Sequence, residues 1–255
     1  MMWVAFAVFL LGMAKGGFPV GTVALPIMIL VWPDRSSSAR EAIAFMLPAL
    51  CVMDIFAVAF YRKHIEWRRI RRLIPGTLAG VVMGSVLFVS TDNALLQVSD
   101  RMLKLLIGLL GLSFVVWNII KSRATPRLRQ GKEPGWPQSS MLGVGCGITS
   151  TLAHAAGPLM QVYLLPQRLG KLEFAGTTAG FFLILNAVKL MPFATMGRLD
   201  RDKLMLLVPM LPVIPLGVLL GYVLVSVLKP QHYRMFIFTV LFGTSILLII
   251  RTFAE

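Results

Sequence analysis

The chain has 255 residues, 57% of them hydrophobic, and a formal net charge of +14. A mean hydropathy of +0.79 excludes a soluble domain built round one core, and the lack of period-two alternation excludes a membrane β-barrel. Several apolar runs are long enough to cross ~30 Å of hydrocarbon at ~1.5 Å per helical residue, so the expected fold class is an all-α polytopic membrane protein.

The positive charge does not call for a nucleic-acid partner. Eleven of the 25 basic residues sit in two short stretches: Arg62, Lys63, Arg68, Arg69, Arg71 and Arg72, then Lys121, Arg123, Arg127, Arg129 and Lys132. Basic residues held between spans are the positive-inside signal, which makes both stretches cytoplasmic. Cys51 and Cys146 fall inside apolar segments without metal-ligand spacing and read as packing residues. Residues 1–14 are apolar but lack a basic leader and a small-residue cleavage site, so they read as retained in the membrane.

The first apolar block, 1–31, is interrupted by AKGGFPVG at 14–21. One continuous helix there would be ~46 Å long, so two shorter helices round a broken centre are expected, either as an interrupted span or as a re-entrant hairpin. A loop with Pro33 and Ser36, Ser37 and Ser38 follows, then a span at 39–61 that carries Asp54. After the basic loop 62–72 comes a span at 73–89 with Gly76, Gly80 and Gly84 on one face, where small residues permit close helix contact in lipid. A short link at 91–93 leads to a fourth span at 101–120. Polar, basic and proline-containing, 121–138 is a linker.

The second half opens with GVGCGITSTLAHAAGPLMQVYLLP at 143–166. Gly-Pro at the centre of an apolar run removes a backbone donor and clashes with the preceding turn. Freed backbone at membrane depth is tolerated only where protein or a water-filled cavity satisfies it, so this stretch reads as a site. Spans at 174–194, 204–228 and 233–250 follow, with a loop at 197–203.

The order repeats. A gapless shift lays Ile65 on Leu199, Glu66 on Asp200 and Pro75 on Pro209; a three-residue adjustment lays Gly80 and Gly84 on Gly217 and Gly221. The break at Lys15-Gly16-Gly17-Phe18-Pro19 falls on His154-Ala155-Ala156-Gly157-Pro158, and Pro26 falls near Pro166. The expected organisation is a first transmembrane repeat at 1–120, a basic cytoplasmic linker at 121–138 and a second repeat at 139–255. Each repeat has four segments, the first of them broken, giving about seven to eight transmembrane helices. Secondary transporters are commonly built this way, with discontinuous helices meeting near the bilayer midplane. Fully crossing breaks make the repeats parallel and re-entrant ones make them inverted; inversion is favoured because it supports alternating access.

Ionisable residues inside a membrane are expensive and mark function. Lys15, Asp54, His154 and Lys189 qualify. Lys15 and His154 hold equivalent places just before the two breaks, where freed N–H groups and a following helix's positive end suit an anion. Gly16, Gly17, Ala156 and Gly157 would supply backbone contacts, with Ser150, Gln161 and Thr178 as neutral donors. Snorkelling is the alternative for Lys15, and a neutral histidine bonded to a neighbouring helix the alternative for His154. Thr178, Phe182, Asn186 and Lys189 share a helix face; Asn186 either meets the substrate or glues helices together. Asp54 either neutralises Lys15 or Lys189, or joins His154 as a proton-coupling candidate.

The motifs AKGGFPVGTVALPIM at 14–28, AHAAGPLMQVYLLPQRL at 153–169 and KLEFAGTTAGFFLILNAVKL at 171–190 resemble the TauE/SafE family of sulfite exporter-like permeases. The resemblance covers nearly the whole chain. It implies a secondary transporter that moves a small sulfur-containing anion, such as sulfite, sulfoacetate or another organosulfonate, across a bacterial plasma membrane. The chain departs from the family's richer glycine run at Lys15, and from its Gly-Gly-Pro at Ala156-Gly157-Pro158. Export is the expected direction, because an inside-negative potential favours an outgoing anion. No cofactor, metal or catalytic residue is called for; the partners are the small anion and the bilayer, with a homodimer left open. A non-transporting subunit or sensor partner is the alternative reading. An intramembrane enzyme using Ser150 and His154 is disfavoured, since no Gly-x-Ser-Gly, paired acidic or His-Glu-x-x-His motif is present.

Overall fold

The computed structural model describes residues 2–18, 38–90, 133–197 and 207–229, with isolated positions between 109 and 116, at 199 and 205, and from 231 to 250. The second half of the first broken block, the link at 91–93, the span expected at 101–120 and most of the linker lie outside the described residues, as does much of 233–250.

All regular elements among the described residues are helical. Helix α1 (Met2–Lys15) has no polar side chain before its last residue, as suits a helix surrounded by apolar groups on every side. Helix α2 (Ser38–Tyr61) bears Asp54 and tolerates Pro48. Helix α3 (Trp67–Ser90) starts earlier than the sequence reading had it. Its first two turns take in Arg68, Arg69, Arg71 and Arg72, because arginine is a good helix former and the Arg69 N–H already donates to the Glu66 carbonyl at 3.0 Å.

Helix α4 (Trp136–Ala153) and helix α5 (Gly157–Leu164) each carry a proline in the first turn, where its missing N–H costs nothing. A 3₁₀ turn, Leu165–Gln167, extends α5. Helix α6 (Lys171–Thr195) begins with the Gly170 N–H donating to Glu173 Oε2 at 3.1 Å, an acid placed well against the helix dipole. Helix α7 (Val213–Val227) follows a 3₁₀ turn at Val208–Met210. Pro209, Pro212 and Pro215 remove donors around this start, while Met205 and Leu207 before it are also helical. Three stretches, Trp67–Leu87, Lys171–Thr195 and Val208–Val227, are long and apolar enough to cross a membrane; Trp3–Lys15 and Phe45–Tyr61 are shorter apolar helices.

The chain divides into two compact units, and each takes segments from both halves of the sequence. The first comprises Met1–Ile70 with Gly170–Tyr233, the second Arg71–Leu169 with Arg234–Glu255. In the first, α1 packs on α7 and α2 packs on α6. Leu47 and Phe193 lie fully buried there, with Cys51 packed against them, as expected of a cysteine that serves the interior.

Each unit has a seam of glycines. In the first, Gly12 of α1 and Gly16 just past its end face Gly217 and Gly221 of α7, so a side chain at any of the four would press on the opposite backbone. In the second, Gly76, Gly80 and Gly84 of α3 lie on the backbone of α4, and Gly143 and Gly147 of α4 lie on that of α3. The glycine face predicted for 73–89 is therefore the packed face. The opposite side of α3 exposes Leu78, Val82, Met83 and Val86. A helix with small residues inside and large apolar ones outside is built for lipid, where close van der Waals packing holds helices together.

Candidate functional site

The site begins where α1 stops. Gly17 has φ +99°, a left-handed conformation that glycine adopts without penalty. Its N–H donates to the Ala14 carbonyl at 3.0 Å and the Phe18 N–H to the Met13 carbonyl at 3.1 Å, the paired bonds of a Schellman ending. The Gly16 N–H donates to Gly12 at 2.8 Å. All three amides are thus engaged within the turn, and the groups this ending leaves over are carbonyls. Two tyrosine hydroxyls take them: Tyr61 donates to the Gly16 carbonyl at 2.6 Å and Tyr233 to that of Gly17 at 3.0 Å. Backbone N–H contacts from Gly16 and Gly17 to an anion, expected from the sequence, would need this turn to open.

Lys15, the last residue of α1, does not snorkel. Its Nζ lies 2.7 Å from Asp54 Oδ1, with the lysine side chain 13% exposed and the aspartate 0%, and 4.3 Å from the centre of the Phe182 ring. Of the two partners the sequence had left open for Asp54, Lys15 makes this direct ion pair, and Lys189 also interacts with the carboxylate. The other carboxylate oxygen, Oδ2, accepts from Asn186 Nδ2 at 2.6 Å. Asn186 is thereby a polar contact between α6 and α2 as well as a candidate ligand. Lys189, fully buried, lies one turn further along α6 and interacts electrostatically with Lys15, Asp54 and the Cys51 thiol. Three helices, α1, α2 and α6, converge on this cluster. Thr178 donates to the Phe174 carbonyl of its own helix at 2.7 Å, the usual habit of a membrane threonine.

Five further predicted residues belong to the second unit. His154 closes α4 in the left-handed region, φ 48° and ψ 29°, its N–H donating to Ser150 at 3.0 Å while Ala155 donates to Thr149 at 3.2 Å. Ser150 is buried, and Thr149 and Thr151 bond back to Gly145 and Gly147 of their own helix. Helix α5 restarts at Gly157, and its first internal bond runs from the Met160 N–H to the Ala156 carbonyl at 3.0 Å. A Cβ at Gly157 would meet no atom within 4 Å, so space stands beside this first turn. The buried Oε1 of Gln161, in α5, has no hydrogen-bond partner among the described residues.

Helix α1 ends at Lys15 and α4 at Ala153, where the sequence reading put the two breaks, but the endings differ in register. Left-handed residues fall at Gly17 and His154, two and four positions before their prolines. The alignment that paired Lys15 with His154 therefore superposes the prolines and not the helix ends. Tyr61 and Tyr233 were missed; their only signal was a tyrosine at the last position of one expected span, 39–61, and at the first of another, 233–250.

Apolar outer faces, an interrupted helix and ionisable side chains buried where helices meet define the class: a helical membrane transporter. The family profile described as "Sulfite exporter TauE/SafE" matches residues 2–248, and the chain belongs to that family. No curated protein and no solved structure gives a significant match.

Proposed function

We propose that the protein is a multi-pass permease of a bacterial plasma membrane that exports a small sulfur oxyanion, sulfite or an organosulfonate such as sulfoacetate. The observation that carries this reading is the buried cluster at the end of α1, where two lysines meet one carboxylate. Holding Lys15 and Lys189 away from water is costly unless their charge is used. A small anion uses it, and the family supplies the sulfur chemistry. Lys189, Lys15, Asn186 and Thr178 are the ligands assigned in the first unit. In the second, His154, Ser150, Gln161 and the amides opening α5 at Ala156 and Gly157 are a separate candidate set; a helix N-terminus beside open space suits an oxyanion. Asp54, itself an anion, is not a ligand for one.

The direction follows from charge. An anion leaving a cell whose interior is negative gains ~2.3 kcal/mol per charge per 100 mV, so export needs no second energy source. The two halves are read as inverted repeats, a reading supported by the matched glycine seams: in each unit the glycine helix of one half packs on the broken segment of the other.

Thermal unfolding in detergent, with sulfite, thiosulfate, sulfoacetate and taurine added in turn, tests the substrate class. A ligand at about 100 times its Kd stabilises by ~2.7 kcal/mol. The expected result is a raised midpoint with one or more sulfur oxyanions, lost in Lys189→Met. A midpoint unmoved by all four, or moved equally in the variant, contradicts the assignment.

A further inference from the structure

Resting on the transport reading above, we infer that Asp54 is a built-in counter-ion that frees the carrier from obligatory exchange. A carrier with a buried cation in its site faces a problem on the return leg. Once the anion has left, an uncompensated charge at membrane depth resists reorientation, and such carriers return only with another anion aboard. Here the cation at the break carries its own compensation: Lys15 Nζ sits 2.7 Å from Asp54 Oδ1. The carboxylate is held from its far side by Asn186 Nδ2 at 2.6 Å, so it is fixed in position and not a mobile guest.

Among the described residues, the charged and polar groups around Asp54 are Lys15 from α1, Cys51 from its own helix, and Asn186 and Lys189 from α6. Asp54 is the only acidic group in this described set. The burial pattern assigns the roles. Asp54 is closed off, whereas the Lys15 side chain keeps 13% of its surface open, so an arriving anion meets the lysine and not the carboxylate. Substrate and carboxylate then share two cations, Lys15 and Lys189. When the substrate departs, Asp54 stays with Lys15 and offsets one of the two lysine charges, so the empty protein reorients against a lower charge penalty. The consequence is net movement of the anion down its electrochemical gradient, as an exporter needs.

The experiment uses the full-length protein in liposomes loaded with ³⁵S-sulfite and compares two rates: efflux into sulfite-free medium, and exchange against unlabelled sulfite outside. In wild type the two are expected to be of the same order. In Asp54→Asn the ratio of efflux to exchange falls on the order of a hundredfold, the size set by stranding a buried charge, and Asp54→Glu restores most of it. A purely structural Asp54 would lower both rates together and leave the ratio alone; that result overturns the inference, as does an unchanged ratio. The wild-type measurement stands even if Asp54→Asn does not fold, since exchange without net efflux in wild type overturns it directly. Wild type that moves no sulfur oxyanion in either mode defeats the transport reading itself, and the inference with it.

Discussion

At the scale of single residues, charges in the first unit come with partners and the partners carry the energetics. Removing one member of a buried pair leaves the other uncompensated, which costs about 3–5 kcal/mol, whereas replacing both with apolar groups of similar volume is near neutral. Lys15→Ala is therefore expected to lower the unfolding midpoint in detergent sharply, and Lys15→Met combined with Asp54→Leu to recover most of the loss. A double variant as unstable as the single one would show that the pair matters for something other than compensation. Tyr61→Phe is a milder case. It strips the donor from the buried Gly16 carbonyl and should cost about 1–3 kcal/mol, measured the same way, with larger effects on the α1 ending than elsewhere.

The residue scale is also where the sequence was most and least informative. Lys15, Asp54, Asn186 and Lys189 stood out because each is costly in lipid, and a cost is visible in one dimension. Which of them touch was not visible, since spacing along a helix names a face and never the helix opposite. Asp54 had two lysines within reach. The direct pair with Lys15 depends on where α1 ends, and that in turn depends on a glycine turn whose bonds the sequence only hints at. The tyrosines that cap this turn come from positions 61 and 233, and no local pattern links them to Gly16 or Gly17.

At the scale of elements, the glycine seams decide which helices sit close. Side chains at Gly80 or Gly221 would run into the backbones of Val144 and Met13 respectively, and neither backbone is free to retreat. Gly80→Leu and Gly221→Leu are expected to destabilise by about 1–3 kcal/mol or more through overpacking. Gly157→Ala has open space and no positive φ, so its unfolding midpoint should stay near wild type. Equal losses at Gly157 and Gly221 would contradict the packing described. The spacing of four made the glycine face of α3 legible from sequence alone. Its partner, α4, was not, because a glycine face fits any helix whose own small residues match it.

At the scale of the whole molecule, sequence order and spatial grouping diverge. The sequence reads as two halves, yet each compact unit combines segments from both. The halves are a reading of internal sequence similarity, whereas compactness reports which helices share an interior; the two need not coincide. In either unit a broken or capped helix end lies beside a glycine seam, with α1 and Gly16 in one and α4 and Gly147 in the other. The buried charge cluster belongs to the first unit and the restarting helix α5 to the second.

The central claim is that buried cations serve outward movement of a sulfur oxyanion down its electrical gradient. Its most direct test is efflux of ³⁵S-sulfite from proteoliposomes whose membrane potential is set by a potassium gradient with valinomycin. The account predicts efflux that quickens as the interior is made more negative and that is lost in Lys189→Met. Efflux indifferent to the potential, or undiminished by that substitution, would contradict it.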